Sequence, residues 1–310
     1  MRLKLGIVMS LMVGVAHANT DLAAAIENVR TACGNISAEL SDMKKMAGIT
    51  TAVTGVGTVA GGVALGTGLA KANVDKEIAD LEQQLARLDA DRNLQTITIS
   101  ATNLQNELNQ YQASIQTLSK SELQEQKSEA EQKSKNLGNV RTGTLAAATA
   151  TNIAGAVMSG TNKVKGDLKQ QIDECLVSIK TLSNIRMQAR IDGSANDTEL
   201  ARAENIIRAC DAWTTVDVSS INKRSTGATV SSGIGAGLGL AGTITSASAN
   251  SDGVRNGDDT QHEKNLNTAA NVLAGSTTAA SLSATIFNAT QISAIKHAAT
   301  VADECEGALK

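Results

Sequence analysis

The chain has 310 residues, a net charge of −3 and no proline, and its aromatic residues are Trp213, Tyr111 and Phe287. Strand-rich domains depend on aromatic residues and on prolines in turns, so this composition excludes an all-β fold. The charged regions are rich in Ala, Leu, Gln, Glu and Lys, which favour helix. The sequence lacks a basic cluster combined with aromatic residues, the pattern that would indicate a nucleic-acid partner. We therefore predict an all-α fold with long helices and no nucleic-acid binding.

The first 18 residues are typical of a cleaved export signal. A short basic start at 1–4 precedes the apolar run 5–15, and the small residues Ala16 and Ala18 mark a cleavage site. The apolar run is too short to cross a bilayer comfortably. We predict a signal peptide at 1–18 and a mature protein in the periplasm or cell envelope of a bacterium, either membrane-associated or secreted.

Charge divides the rest of the chain into alternating segments. Residues 21–46 are predicted to form one amphipathic helix, because their apolar residues recur at helical spacing. The charged stretch 71–141 and the polar turn 252–259 each separate a pair of uncharged stretches. These four uncharged stretches are rich in Gly, Ala, Thr and Ser and cover 47–70, 142–162, 225–251 and 265–295.

The charged stretch 71–141 carries two apolar seams with alternating spacings of three and four residues, the pattern of a coiled coil. Their members are Val74, Ile78, Leu81, Leu85, Leu88, Leu104, Leu108, Tyr111, Ile115 and Leu118. Pairing the two seams places the turn near Thr96, whereas the midpoint between Cys33 and Cys175 places it near Leu104. We predict a coiled-coil hairpin whose turn lies between these two positions.

Two sequence repeats indicate an internal duplication. Residues 27–33 recur in similar form at 204–210, and the Asp-Glu-Cys triplet at 173–175 recurs at 303–305. Residues 27–33 and 173–175 bracket the first two uncharged stretches, and residues 204–210 and 303–305 bracket the other two. We therefore predict two related antiparallel hairpins that together form an elongated four-helix bundle.

The predicted domain boundaries follow from this duplication. The first helical hairpin covers 19–190, with the coiled coil at 71–141 as an extension. A loop follows at 191–198, where Thr198 is the predicted N-cap of the next helix. The second, shorter hairpin covers 199–310.

Cys33, Cys175, Cys210 and Cys305 are disulfide candidates, because an even number of cysteines is typical of a disulfide framework in an exported chain. None lies in the CxxC spacing of redox and zinc sites. Bonds Cys33–Cys175 and Cys210–Cys305 would staple each hairpin, whereas Cys175–Cys210 and Cys33–Cys305 would join the two hairpins. The sequence leaves this choice open and places all four cysteines near one end of the bundle.

Small residues four positions apart run along the uncharged stretches and predict close helix packing. The predicted interface comprises Gly57, Gly61, Gly62, Gly66, Ala156, Gly160, Gly233, Gly235, Gly237 and Gly239. Each stretch is long enough to cross a hydrocarbon core of about 30 Å, but Thr, Ser and Asn interrupt the stretches and no Trp or Tyr marks their ends. Two predictions stay open: a soluble bundle with a tight small-residue core, and membrane-inserting hairpins.

No set of acid, base and nucleophile is apparent, and we predict no catalysis, cofactor, metal or small-molecule substrate. The GxGxxG sequence at 237–242 lacks the preceding strand of a dinucleotide site, and His262 and His297 have no nucleophile or further ligands near them in sequence. We predict a non-enzymatic envelope protein that acts by self-association or by binding another envelope protein, through its Gly/Ala-rich helix faces and its coiled coil. The alternative is a membrane-inserting helical-hairpin protein or an α-helical pore former.

Overall fold

A computed structural model describes residues 18–95, 103–255 and 260–310. Within these ranges the chain forms helices and no strand, which confirms the all-α prediction. The helices are α1 Ala18–Cys33, α2 Ile36–Gln95, α3 Asn103–Thr161, α4 Gly166–Asp192, α5 Asp197–Cys210, a short 3₁₀ helix Asp211–Thr215, α6 Val218–Ala249, α7 Asp252–Arg255 and α8 Thr260–Leu309.

Several predictions fall outside these residues. The predicted signal peptide lies there except for Ala18, and so do residues 96–102, on which the predicted turn of the coiled-coil hairpin falls. The polar turn at 252–259 begins as the single helical turn α7, and its last four positions are also outside.

The predicted helix at 21–46 is two helices, so this prediction was wrong. α1 ends at Cys33 and α2 begins at Ile36, and Asn35 between them has a positive φ of 73°. Asn adopts this left-handed conformation more readily than most residues, because its short polar side chain can hydrogen-bond locally. α2 then continues without a break through the uncharged stretch 47–70 and into the charged stretch that follows.

The predicted loop at 191–198 is a helix end followed by a helix start. α4 stops at Gly193, which has a φ of 63° and donates its backbone N–H to the carbonyl of Ala189. Asn196, and not Thr198, is the N-cap of α5: its side chain accepts from the backbone N–H of Glu199, whose carboxylate accepts from the N–H of Asn196. The Asn-x-x-Glu spacing forms this capping box.

The chain divides into two compact units. Unit 1 contains the described residues of 1–49, 159–226 and 288–310. Unit 2 contains those of 50–158 and 227–287. Each predicted hairpin contributes to both units.

Unit 1 has a conventional apolar core with two disulfides inside it. The bonds join Cys33 to Cys175 and Cys210 to Cys305, the pairing that staples each predicted hairpin. The largest buried side chain is Trp213. Arg30 Nε donates to the carbonyl of Leu309 at 3.1 Å, which ties α1 to the end of α8. The core also buries Leu22, Val29, Ile36, Leu40, Leu168, Ile172, Leu182, Ile206, Ile221, Ile295 and Leu309.

Candidate functional site

The buried positions of unit 2 carry mainly small and polar side chains. Among the described residues of its uncharged stretches, Leu145 is the one large aliphatic side chain that is buried. The buried alanines include Ala64, Ala148, Ala228, Ala270, Ala274 and Ala284. The buried polar residues there are Thr50, Thr54, Thr149, Asn152, Ser232, Ser246, Asn267, Thr277 and Ser281.

Fourteen large apolar side chains of the same stretches are exposed, while others, including Val53, Leu65, Met158, Leu238 and Leu273, are half-buried. They occur on α2, α3, α6 and α8, and the exposed fraction reaches 68% at Val59 and 63% at Val157. The set comprises Val56, Val59, Val63, Leu69, Ile153, Val157, Val230, Ile234, Leu240, Ile244, Val272, Leu282, Ile286 and Phe287. We call this set the apolar belt.

The apolar belt reverses the distribution expected of a helical protein in water. Burying a Val, Leu or Ile side chain stabilises a fold by about 1.5–3 kcal/mol relative to leaving it exposed. Unit 2 leaves such residues on its surface and fills its interior with hydroxyl and amide groups instead. Exposed apolar residues in such number mark a contact with protein or membrane.

Hydrogen bonds between helices satisfy part of the polar interior, whereas Thr54 and Thr149 donate to carbonyls of their own helices and the buried Ser232 hydroxyl has no partner among the described residues. Asn152 on α3 donates to Ser281 Oγ on α8 at 2.8 Å, and the Ser281 hydroxyl lies 3.0 Å from Asn152 Oδ1. The hydroxyls of Thr142 and Ser246 lie 2.8 Å apart and link α3 to α6. Polar links of this type, combined with small residues that let backbones approach, hold helices together where there is no water.

Sequence analysis did not identify this polar seam, although a signal was present. On α8 the buried positions recur at alternating spacings of three and four residues: Asn267, Ala270, Ala274, Thr277, Ser281 and Ala284. That is the spacing of a helix-packing seam. Large apolar residues usually mark such a seam, whereas this one carries Ala, Thr, Ser and Asn.

The structure divides the predicted glycine interface into two sets. A Cβ at Gly57 or Gly61 would lie 2.7 Å from the hydroxyl of Thr151 or Thr278 on a neighbouring helix. Gly235 and Gly239 have similar close neighbours, Asn152 and Thr149. By contrast, a Cβ at Gly62, Gly66, Gly233 or Gly237 would meet no atom within 4 Å, so these four glycines are not at a helix contact within the chain.

Ala156 and Gly160, the remaining members of the predicted interface, are half-buried on α3. Further close contacts that the prediction missed involve Gly68, Gly138, Gly155, Gly227 and Gly242. Gly155, for example, would place a Cβ 2.6 Å from Thr54 of α2 and 3.2 Å from Ser232 of α6.

A charged network is buried in unit 2. Lys71 is fully buried, and its Nζ lies 2.7 Å from Asp75 Oδ2 and 3.3 Å from Glu263 Oε1. Asp75 also accepts from the hydroxyl of Ser134 at 2.5 Å. The network therefore joins α2, α3 and α8 through charge-assisted hydrogen bonds.

Arg141 is the second fully buried cation of unit 2. It donates to Ser246 Oγ at 2.8 Å, to Asn267 Oδ1 at 2.8 Å and to Asn271 Oδ1 at 3.2 Å. Burial lowers the pKa of this guanidinium, and the charges of Asp75 and Glu263 oppose that shift. Arg141 precedes the uncharged stretch 142–162 directly, as Lys71 follows 47–70.

The charged parts of α2 and α3 run antiparallel in one of the two registers that the sequence left open. The pairs Asp75–Ser134, Glu82–Lys127 and Asp89–Lys120 are all centred on position 104.5. This agrees with the midpoint of Cys33 and Cys175 and not with the pairing of the two leucine seams. The hydrogen bond to Glu82 raises the pKa of Lys127.

This register changes the partners of the first predicted seam. Val74 and Leu81 are buried with Ala130, while Ile78, Leu85 and Leu88 are half-buried. Leu123 and Leu137 pack against the same cluster. The side chains of the second seam, Leu104, Leu108, Tyr111, Ile115 and Leu118, lie outside those described.

The four cysteines lie together in unit 1. The Sγ atoms of Cys33, Cys175 and Cys305 are within 4.8 Å of one another, and Cys210 is bonded to Cys305. All four are buried in the apolar core. Their sulfurs are engaged in disulfides, and disulfide sulfurs do not act as thiolate ligands.

The remaining sequence candidates have ordinary surroundings. His297 is exposed, with Nε2 3.4 Å from Thr215 Oγ1, and His262 is an exposed residue of α8. The GxGxxG sequence at 237–242 lies inside α6, where Gly239 and Gly242 contact neighbouring helices.

One helical stretch of the described chain, Asp21–Asp89, contains a window long and apolar enough to cross a membrane by length and composition. Of that window, 28% is buried. A core helix of a water-soluble protein would be mostly buried. The polar interior residues lower the hydropathy of the other three uncharged stretches.

Comparison with protein-family models, with curated proteins and with solved structures gives no match to this chain.

Proposed function

We propose that this protein is a non-enzymatic, membrane-inserting helical protein whose unit 2 spans a lipid bilayer. The observation that carries the proposal is the reversal in unit 2, with an apolar belt on four helices around a hydrogen-bonded polar interior. Lipid tails accept an apolar surface without cost, and the polar groups find their partners inside.

The lengths of the uncharged stretches support this proposal. The parts of the first two stretches that lie in unit 2, 142–158 and 50–70, would extend about 26 Å and about 32 Å as helices, at about 1.5 Å per residue. A typical hydrocarbon core is about 30 Å thick. The two fully buried cations, Lys71 and Arg141, come immediately outside these two stretches, where a charge is less costly than at the bilayer centre.

In this proposal the spanning part is a four-helix bundle that arose by internal duplication. α1 and α5 both end at a cysteine, Cys33 and Cys210, and each is followed by a long helix that carries an uncharged stretch. The charged parts of α2 and α3 extend beyond those stretches as a coiled coil. The disulfide-bonded unit 1 suits an exported protein, because disulfides persist in oxidising compartments.

A second candidate function is assembly with protein through the same apolar belt, either with further copies of this chain or with another envelope protein. The exposed pairs Gly62–Gly66 and Gly233–Gly237 favour it, since small residues four apart let two helices approach closely. In this case detergent or lipid would not be needed to keep the assembled protein in solution.

Partition of the oxidised mature protein into vesicles tests the proposal. Val59 lies near the middle of 47–70 and is 68% exposed, and Val177 on α4 of unit 1 is 63% exposed. A lysine at the centre of a spanning helix costs about 2.5–3.5 kcal/mol. We therefore expect Val59→Lys to lower the carbonate-resistant bound fraction about 100-fold and the matched control Val177→Lys to leave it unchanged.

Equal behaviour of the two variants would count against lipid as the occupant of the belt. If, in addition, wild-type protein is recovered as a defined oligomer without lipid, assembly with protein becomes the favoured function.

A further inference from the structure

We propose that seven basic residues of unit 1 form a docking surface for the headgroups of anionic phospholipids. This inference rests on the proposed function and names the lipid that the inserted protein selects. The residues are Lys44, Lys45, Lys163, Lys165, Lys223, Arg224 and Lys296, which we call the basic collar.

The collar is defined first by sequence. At one end of each uncharged stretch the nearest charged residue is basic: Lys45 before 47–70, Lys163 after 142–162, Arg224 before 225–251 and Lys296 after 265–295. Lys44, Lys165 and Lys223 stand beside these positions. A chain that crosses a bilayer along these stretches would have only cations as the first charges at this end.

Contacts within unit 1 bring the collar segments together. The backbone N–H of Val164 donates to Asn222 Oδ1 at 2.8 Å, which joins the α3–α4 link to α6. Gln291 of α8 donates to the carbonyl of Asn162 at 2.7 Å, and Arg224 of α6 donates to the carbonyl of Thr290.

A surface groove of unit 1 adds α2 to this group. Met43 and Met46 of α2 line the groove together with Lys163 and Lys165. The four segments that carry the collar therefore lie close to one another in unit 1.

The collar cations point to solvent with few counter-charges. Lys44, Lys45, Lys165, Lys223 and Lys296 are exposed, while Lys163 and Arg224 are half-buried. Lys45 forms an ion pair with Asp42 at 3.0 Å. Among the described residues the other six collar cations have no carboxylate within 4.0 Å. Glu39, Asp42 and Asp167 also line the surface groove and Asp217 directly precedes α6, so the seven cations exceed these four carboxylates by three.

The other ends of the first two uncharged stretches are different. Lys71 and Arg141 are buried, and they bind carboxylates, amides and a hydroxyl of the protein itself. Cations that are satisfied internally offer nothing to a headgroup, whereas exposed lysines attract anionic lipid surfaces. The difference predicts that anionic headgroups are bound at the unit 1 end of the stretches.

The test compares two variants of the full mature protein with equal loss of charge. In the collar variant Lys44, Lys165, Lys223 and Lys296 are changed to Gln. In the control variant Lys76, Lys133, Lys180 and Lys264, which are exposed elsewhere, are changed to Gln. Binding is measured by flotation with vesicles of phosphatidylcholine alone or with about one third phosphatidylglycerol. A fixed physiological salt concentration is needed because salt screens such attraction.

We expect wild-type protein to prefer the anionic vesicles and the collar variant to lose at least 100-fold of that preference, since each basic residue near an anionic surface contributes about fivefold. The control variant should keep the preference. Equal preference in the two variants, or no preference in wild type, would overturn the collar proposal. Carbonate treatment separates the two proposals: an anionic preference that carbonate abolishes would support the collar and contradict insertion.

Discussion

At the scale of single residues, close approach of helices in unit 2 depends on glycine at particular positions. Gly61 and Gly62 are adjacent on α2, yet a Cβ at Gly61 would lie 3.2 Å from Thr278 Cα, and one at Gly62 would meet nothing within 4 Å. Thr278 cannot easily move away, because its hydroxyl is hydrogen-bonded to the carbonyl of Ala274 at 2.8 Å. Position within the helix, and not the glycine count, decides the packing.

Alanine substitution of these two glycines should therefore have opposite effects. Gly61→Ala should lower the free energy of unfolding by about 1–3 kcal/mol through overpacking. Gly62→Ala should raise it by up to about 1 kcal/mol, because Ala favours helix over Gly. Denaturant unfolding in mild detergent, monitored by far-ultraviolet circular dichroism, measures the free energy of unfolding of both variants. Equal stability of the two variants would contradict the helix contact at Gly61.

Lys71 is the residue on which the charged network depends. Lys71→Met would leave Asp75 and Glu263 without their cation, and we expect a loss of about 3 kcal/mol, near the lower end for breaking a buried pair. The lower end applies because both carboxylates are partly exposed. Lys127→Met removes an exposed pair with Glu82 on the same helical arm and should cost less than about 1 kcal/mol. The same unfolding experiment measures both variants. A similar loss in the free energy of unfolding for the two would show that the buried Lys71 pairs stabilise the protein no more than the Lys127 pair does.

At the scale of elements, each disulfide joins two helices that are far apart in sequence. The bonds close loops of 142 and 95 residues, and these loops do not overlap along the chain. Because long loops lose the most entropy on closure, each bond should matter for stability. Trp213, the sole tryptophan, is buried in the same core and reports on it.

Removing either disulfide should destabilise unit 1 by about 2–5 kcal/mol. The variants are Cys33→Ser with Cys175→Ser, and Cys210→Ser with Cys305→Ser, so that each leaves the other bond as an internal control. Tryptophan fluorescence during denaturant unfolding gives the change. An unfolding midpoint that is the same in both variants and in the oxidised wild type would argue against a stabilising role.

The elements also show what sequence alone could predict. Helix propensity and the absence of proline were enough to predict the all-α class, because the local sequence preferences all favour helix. The break at Gly34-Asn35 was missed since apolar spacing continues across it, and only the positive φ at Asn35 ends α1. The capping box was missed because Thr198 was considered without the Glu three residues after Asn196.

The candidate site was harder to predict than the fold. A Cβ would meet a neighbouring helix at Gly57, Gly61, Gly235 and Gly239 but not at four other glycines of the same pattern, so glycine spacing does not tell which face of a helix meets another helix. That choice depends on the register between distant segments. The polar seam on α8 was present in the sequence, yet its residues are read as solvent-facing unless the exposed apolar face is known.

At the scale of the whole molecule, two kinds of interior occur in one chain. Unit 1 buries aliphatic side chains, Trp213 and two disulfides, as a protein does in water. Unit 2 buries hydroxyls, amides and small residues and exposes its aliphatic ones. The hydrophobic effect explains the first arrangement, and the proposed contact with lipid tails, which are as apolar as leucine, would explain the second.

The central claim is that the apolar belt contacts lipid, and spin-label accessibility measures this most directly. Nitroxide labels at Val59, Ile234 and Val177, attached through single added cysteines in the oxidised protein bound to vesicles, are exposed to oxygen, which concentrates in lipid, and to a water-soluble nickel chelate. We predict that labels at 59 and 234 are relaxed mainly by oxygen and the label at 177 mainly by the nickel chelate. If the nickel chelate relaxes the labels at 59 and 234 as strongly as the label at 177, the claim is contradicted.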